Sequence, residues 1–161
     1  MTELPRIGLG IDTHRLEHGR TCVLGGIKFD IEVGPFGHSD GDAVLHAACD
    51  AVLGAAGLDD IGTLFADTDP AHANRDSADF CRETVALIKQ RNLRVWSLDV
   101  VVETELPKLK PRRQAMRMRI AELFEADADR VNVKGKTGEK IGAIGRGEAC
   151  RATVVALLGP A

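Results

Sequence analysis

The chain has 161 residues, 44% hydrophobic but only 4% aromatic, and a formal net charge of −3. That length fits one domain, 1–161, and the acidic balance disfavours diffuse nucleic-acid binding, whose affinity comes largely from Lys and Arg neutralising phosphates. Four cysteines with no CxxC pair exclude a zinc ribbon or thioredoxin-type motif, and no apolar run approaches the roughly 18 residues that a membrane span requires.

In chain order, RIGLGIDTHR (6–15) alternates and predicts a strand. TCVLGGIKFD (21–30) predicts a hairpin turning at Gly25-Gly26. A helix is expected over 39–57, N-capped by Ser39 or Asp40 and stopped near Gly57. Residues 58–75 read as an Asp-rich loop closed by Pro70. An amphipathic helix over 76–91 sets Phe80, Val85 and Ile88 near one stripe. A strand over 95–104 precedes a helix over 111–126 with proline in its first turn. A strand over 130–137, a glycine-rich loop over 137–148 and a buried strand over 152–158 complete the chain. This order predicts an α/β (α+β) sandwich, a mixed β-sheet covered by helices on one side. The opening MTELPRIG has no apolar signal core, and the cysteines read as reduced thiols, so a cytoplasmic protein is expected, in a bacterial cytosol or, if a transit peptide was removed, a plastid.

Asp12 and His14 lie two apart on a strand and therefore point to one face. In HSDGDAVLHAACDAVLGA (38–55), Asp42, His46 and Asp50 are spaced by four and share a helix face. Capping accounts for Ser39 and one aspartate, because orphan amides and the helix dipole favour them there. It does not account for His46, which is set among Ala43, Val44, Leu45, Ala47 and Ala48. Two imidazoles and the Asp12 carboxylate supply three ligands and leave a position open, as in zinc sites that act on a substrate. Asp50 is then expected to accept a hydrogen bond from the His46 ring, and His38 to face a ligand.

The loop aspartates Asp59, Asp60, Asp67 and Asp69 fit either a solvated turn or recognition of hydroxyls or a hard cation. PKLKPRRQAMRMR (107–119) is a solvated basic face or, through Lys108 and Lys110, a phosphate contact. In the glycine-rich 133–148 stretch, Lys136, Lys140 and Arg146 surround backbone amides able to form an anion nest, beside Thr137 and Glu139. The residues alone thus point to a metal centre with anion-binding loops, suited to a nucleotide or diphosphate substrate. The alternative is a non-catalytic RNA- or nucleotide-binding module using 107–119. The absence of stacking aromatics near that stretch argues against it.

Taken together, GIDTHR, HSDGDAVLHAACDAVLGAAGLDDIG, LFADTDP, LPKLKP and the TGEK…GRGE loop resemble the 2-C-methyl-D-erythritol 2,4-cyclodiphosphate synthase family, in order and over nearly the whole chain. The resemblance implies a lyase of non-mevalonate isoprenoid biosynthesis. In it, the 2-phosphate of 4-diphosphocytidyl-2-C-methyl-D-erythritol 2-phosphate attacks the β-phosphorus of the same molecule and CMP leaves. It also implies that Asp12, His14 and His46 bind one zinc ion per subunit at the substrate phosphates. By the same pattern, His38 and Ser39 touch substrate, with His38 and Thr137 stabilising the transition state. Asp60, Ile61 and Gly62 hold the ribose, and Phe65, Asp67 and Asp69 line the methylerythritol pocket. Thr104, Lys108 and Lys110 surround cytosine and its phosphate. Lys136, Thr137 and Glu139 form the cytidine-phosphate loop, with Glu139 on a Mg²⁺ or Mn²⁺ ion and with Ala143 and Arg146 following. The implied assembly is a homotrimer with sites between subunits, without nucleic-acid or membrane partners. Three positions depart from the family pattern: Lys136 and Gly138 replace common threonines, and Thr153 stands where some members carry a channel-facing glutamate.

Overall fold

The first strand alternates glycine with bulky apolar residues, and this alternation decides which face of the sheet is covered. A computed structural model describes residues 4–37, 39–65 and 75–161. Strand β1 (Arg6–His18) is followed by the short strands β2 (Cys22–Leu24), β3 (Ile27–Phe29) and β4 (Val33–Pro35). Helices α1 (Ala43–Ala55), α2 (Ile61–Leu64) and α3 (Ser77–Lys89) lead to β5 (Leu93–Glu103). Helix α4 (Arg113–Leu123), a 3-10 turn at Ala128–Arg130, β6 (Val131–Lys136), α5 (Gly142–Gly145) and β7 (Ala149–Pro160) complete the order.

The main sheet runs β4-β1-β7-β5-β6, and β2 and β3 form a separate hairpin. Only β5 and β6 pair in parallel; the other neighbours are antiparallel, so the sheet is mixed as expected. Val100, Val102, Val133, Val154, Ala156 and Leu158 are buried beneath the helices. The opposite face leaves Ile7 73%, Leu9 60%, Ile11 55% and Val155 39% exposed, so the helices cover one side only. Thr153 is half-buried on that open face, two residues before Val155. Among the described residues, no helix is long and apolar enough to cross a membrane.

The hairpin turns at Gly25 (φ 62°) and Gly26 (φ 71°), a left-handed pair that a two-residue β-turn of this hand requires. The first helix differs from expectation. It starts at Ala43 and its N-cap is Asp42, not Ser39 or Asp40. Asp42 Oδ1 accepts from the Val44 and Leu45 amides at 3.1 Å each, and the same carboxylate accepts from Gly25 N (2.8 Å) and Gly26 N (2.6 Å). One side chain thus caps α1 and pins the hairpin to it, which the upstream candidates cannot do. Burial pushes the Asp42 carboxyl up to about 6, against the opposite pull of these amides. Helix α4 likewise begins later than expected, because a turn closed by Arg112 N to Leu109 O (2.9 Å) takes up the proline. Short helices α2 and α5 lie inside stretches expected to be loops.

Candidate active site

A Cβ on Gly8 would lie 1.9 Å from the Ala51 carbonyl oxygen, and one on Gly10 would lie 1.9 Å from that of Ala47. Only glycine lets α1 sit this close to β1. Two strand residues advance about 6.6 Å and four helix residues about 6 Å, so the strand and the antiparallel helix keep step. The next position on the same strand face is Asp12, then His14, and the matching part of α1 is its first turn, where His46 lies. The small residues of the first strand therefore place the metal-ligand candidates together.

His14 Nε2 lies 2.8 Å from Asp12 Oδ2, His46 Nδ1 lies 3.2 Å from the same oxygen, and the two ring nitrogens are 3.3 Å apart. One ligand atom from each residue falls within 4.8 Å of the others, a group that could hold a metal ion. The His14 ring is oriented from behind, with Nδ1 2.5 Å from the Phe36 carbonyl oxygen. A carbonyl only accepts, so the proton sits on Nδ1 and the Nε2 lone pair turns toward Asp12 and His46. Burial works to lower the His14 pKa, but the adjacent Asp12 carboxylate outweighs it and raises the value. Burial alone would raise Asp12, yet the adjacent His14 and His46 rings hold its carboxyl well below the usual range. Two imidazole nitrogens and one carboxylate oxygen crowd together with no fourth protein ligand among the described residues, a donor set that fits a divalent transition metal with an open position.

The expected role of Asp50 is corrected. Its Oδ1 accepts from the Ile61 amide at 2.9 Å and fastens α2 to α1. His46 Nε2 instead meets Ser77 Oγ at 2.9 Å and Ser39 Oγ at 3.3 Å. Helical spacing put Asp50 on the right face, but the α2 amide claims the carboxylate. Ser77 was legible only as the start of a helix, because its proximity to His46 spans 31 positions.

Phe80 stands 6.1 Å from the His46 ring and 5.2 Å from Phe65, so Phe65 lies one ring away from the metal-ligand group. Asp60 N-caps α2, accepting from the Thr63 amide at 2.8 Å, with Ile61 and Gly62 in the helix's first turn. His38, Asp67 and Asp69 lie outside the described residues.

A second group of candidates forms a pocket of about 260 Å³ lined by Thr104, Lys108, Lys110, Lys136 and Thr137, with Arg113 added to the expected set. The Leu106–Pro107 peptide is cis, and the Thr104 hydroxyl donates to the Leu106 carbonyl. Lys108, Lys110, Arg113 and Lys136 carry no ion pair among the described residues, which leaves four cations for an anionic ligand. Thr137 Oγ1 donates to Glu139 Oε1 at 2.9 Å, and Gly138 N donates to Glu105 Oε1 at 2.9 Å. A Cβ on Gly138 would come within 2.5 Å of Gly145 N, so this chain has no room for a side chain at that position. Ala143 sits exposed on α5, and Arg146 is engaged by Glu148 through Nε–Oε1 (2.8 Å) and Nη2–Oε2 (3.0 Å).

The two groups share one end of the sheet but not one cleft of the chain. Asp12, Ala152, Val102 and Gly135 form one row across β1, β7, β5 and β6. Three strand spacings put about 14 Å between its ends.

The model of the YgbB family matches residues 5–159. The chain belongs to that family. A relative from Aromatoleum aromaticum, named 2-C-methyl-D-erythritol 2,4-cyclodiphosphate synthase, is 49% identical over 153 residues, or 95% of this chain and 93% of its own length. The fold is similar to that of a solved 2-C-methyl-D-erythritol 2,4-cyclodiphosphate synthase in its CDP-bound form, with a TM-score of 0.88 and 40% identity over 95% of this chain and 99% of that one. It is similar also to the CDP complex of Plasmodium falciparum IspF, with a TM-score of 0.86 and 36% identity over 97% and 96% of the two chains. The synthase resemblance read from the sequence is met over its full extent by these YgbB-family matches. They give no support to an RNA-binding module.

Proposed function

We propose that this chain converts 4-diphosphocytidyl-2-C-methyl-D-erythritol 2-phosphate to the 2,4-cyclodiphosphate and CMP. The observation that carries this reading is the convergence of Asp12, His14 and His46 beneath α1, in a chain whose relatives bear that name. An oxygen of the 2-phosphate forms a bond to the β-phosphorus while the bridge to the α-phosphate breaks, and the electron pair leaves with CMP. No protein nucleophile is required. Burial, with the nearby Asp42 charge, pushes the Cys22 thiol up to about 12, and burial lifts Cys150 to a similar value, so neither supplies a thiolate.

Asp12, His14 and His46 would hold zinc, and Glu139 a Mg²⁺ or Mn²⁺ ion. Together these cations would neutralise the phosphate charges that must meet. Thr104, Lys108, Lys110 and Lys136 bind the cytidyl half, and the Thr137 hydroxyl orients the Glu139 carboxylate. His38, Ser39 and Thr137 contact the reacting phosphates, Asp60, Ile61 and Gly62 the ribose, and Phe65, Asp67 and Asp69 the methylerythritol. Ala143 and Arg146 close the phosphate loop. Holding both ends of a flexible substrate removes much of the entropic barrier, worth about 7–11 kcal/mol in well-oriented intramolecular reactions.

A homotrimer completes the site. The open apolar stripe of Ile7, Leu9, Ile11 and Val155 supports such a contact, and the ~14 Å between Asp12 and Gly135 supports pairing each metal centre with a neighbour's nucleotide pocket. A reducing cytoplasm fits four free buried cysteines, of which Cys49 and Cys81 stand 3.7 Å apart without a bond. Phosphorus NMR of the purified protein with substrate and Mg²⁺ tests the reaction. Appearance of the cyclic diphosphate with equimolar CMP supports it. CMP with a linear phosphate product makes the protein a hydrolase, and no CMP at all refutes both.

A further inference from the structure

We infer that Asp40 and Ser77 act together as positioning residues that hold His46 in the one tautomer able to offer Nδ1 to a metal. This rests on the reading of Asp12, His14 and His46 as a metal centre. Ser77 is fully buried, and its hydroxyl stands between two groups: His46 Nε2 at 2.9 Å and Asp40 Oδ1, to which it is hydrogen-bonded. Asp40 is itself held, since Oδ2 accepts from the Ser77 amide at 3.2 Å and Oδ1 accepts from the Asp42 amide at 3.1 Å.

The direction of the chain of bonds follows from counting protons. A serine hydroxyl has one, and a carboxylate can only accept. The Ser77 proton therefore goes to Asp40, and the Ser77 lone pairs face His46 Nε2, which must donate. A neutral imidazole carries one N–H, so Nδ1 is left with its lone pair, and Nδ1 is the nitrogen that faces Asp12 Oδ2 at 3.2 Å and His14 Nε2 at 3.3 Å. The reverse polarity would place two proton-free oxygens in contact at the Asp40–Ser77 bond. Ser39 Oγ, at 3.3 Å from the same Nε2, is a longer second acceptor that already accepts from Gly41 N at 3.3 Å.

Helix capping does not explain Ser77. The cap of α3 is Asp76, whose Oδ1 accepts from Ala78 N at 2.8 Å. The Ser77 hydroxyl is thus free of the helix end and is used across three parts of the chain: the turn before α1, α1 itself and α3. His14 receives its orientation from a backbone carbonyl, whereas His46 receives it from two side chains, so only the second is open to test by substitution.

The experiment uses the full-length protein with Co²⁺ as the metal probe, read by its visible absorption and by chelator competition, and with CMP affinity as a control. Ser77→Ala and Asp40→Ala are expected to weaken Co²⁺ binding ten- to hundredfold, as loss of outer partners of metal-bound histidines does, with CMP affinity unchanged. The double variant is expected to lose no more than Ser77→Ala, since the two act as one chain. Wild-type affinity in a folded Ser77→Ala protein overturns the inference. Absence of Co²⁺ binding by the wild type overturns the metal centre on which it rests, a separable failure. Nitrogen-edited NMR of the zinc-loaded wild type needs no variant: the His46 proton is expected on Nε2, and a proton on Nδ1 overturns the inference.

Discussion

Gly10 of β1 and Ala47 of α1 are in backbone contact so close that a single added methyl at Gly10 would fall 1.9 Å from the Ala47 carbonyl oxygen. This contact sets the height of α1 above the sheet, and hence the reach of His46 toward Asp12. The clash is with backbone and cannot be relieved by a rotamer change. Gly10→Ala is expected to destabilise the protein by about 3 kcal/mol, lowering Tm by roughly 6–12 °C, and to weaken metal binding with it. Gly54, on the same helix, meets nothing within 4 Å. Gly54→Ala is expected to raise stability by about 0.5–1 kcal/mol. Thermal unfolding of the two variants side by side checks both, and equal effects would contradict the close-packing account.

The open sheet face yields a second prediction. Leu9 is 60% exposed in the chain, so Leu9→Glu leaves the fold of one subunit intact. In the proposed trimer the same side chain is buried against neighbours, where an unpaired carboxylate is costly. Light scattering is expected to show a shift from three chains to one. Turnover is expected to vanish while metal binding persists, because in that trimer each metal centre would use a neighbour's nucleotide pocket. Full activity in a monomeric variant would contradict a site between subunits.

Metal affinity should depend on pH in a stated direction. A bound metal needs the neutral His14 ring, and the Asp12 carboxylate raises the ring's pKa above its ordinary value despite burial. Below that raised value each metal must displace a proton, so affinity falls as pH falls. Asp12 is held well below the usual carboxylate range and stays ionised over the same interval. Chelator competition between pH 5 and 8 is expected to give a slope of about one log unit per pH unit where the His14 ring is protonated, and a smaller one above its raised pKa. A flat line across the interval would contradict it.

Lys136 lies exposed at the end of β6 and lines the cation-rich pocket. Lys136→Thr is expected to weaken CDP binding by about 1 kcal/mol, or roughly five- to tenfold in Kd, and to reduce its salt dependence. Calorimetry at two salt concentrations measures both. Unchanged affinity would mean that the side chain points away from the phosphate.

Much of this was readable in the chain, and the misreadings of the site carboxylates share one cause. Period-two and period-four spacing placed Asp12, His14 and His46 on facing surfaces of a strand and a helix. The Gly25-Gly26 turn and the helix-covered sheet followed from local chemistry. What spacing could not settle was competition for carboxylates. Asp40, Asp42 and Asp50 are alike in sequence, yet Asp42 takes the α1 cap and the hairpin amides, Asp50 takes the Ile61 amide, and Asp40 reaches Ser77, 37 positions away. Each partner is supplied by tertiary packing. Arg113 was missed as a pocket residue for the same reason, since its neighbours Lys108 and Lys136 come from different elements.

The central claim is that Asp12, His14 and His46 share one metal ion, and zinc K-edge absorption on the purified protein tests it most directly. The predicted result is one zinc per chain, with light ligands only at about 2.0–2.2 Å, two of them imidazole, and loss of that zinc in His46→Ala with helical circular dichroism retained. Sulfur scattering near about 2.3 Å, or full zinc in the folded His46→Ala protein, would contradict it.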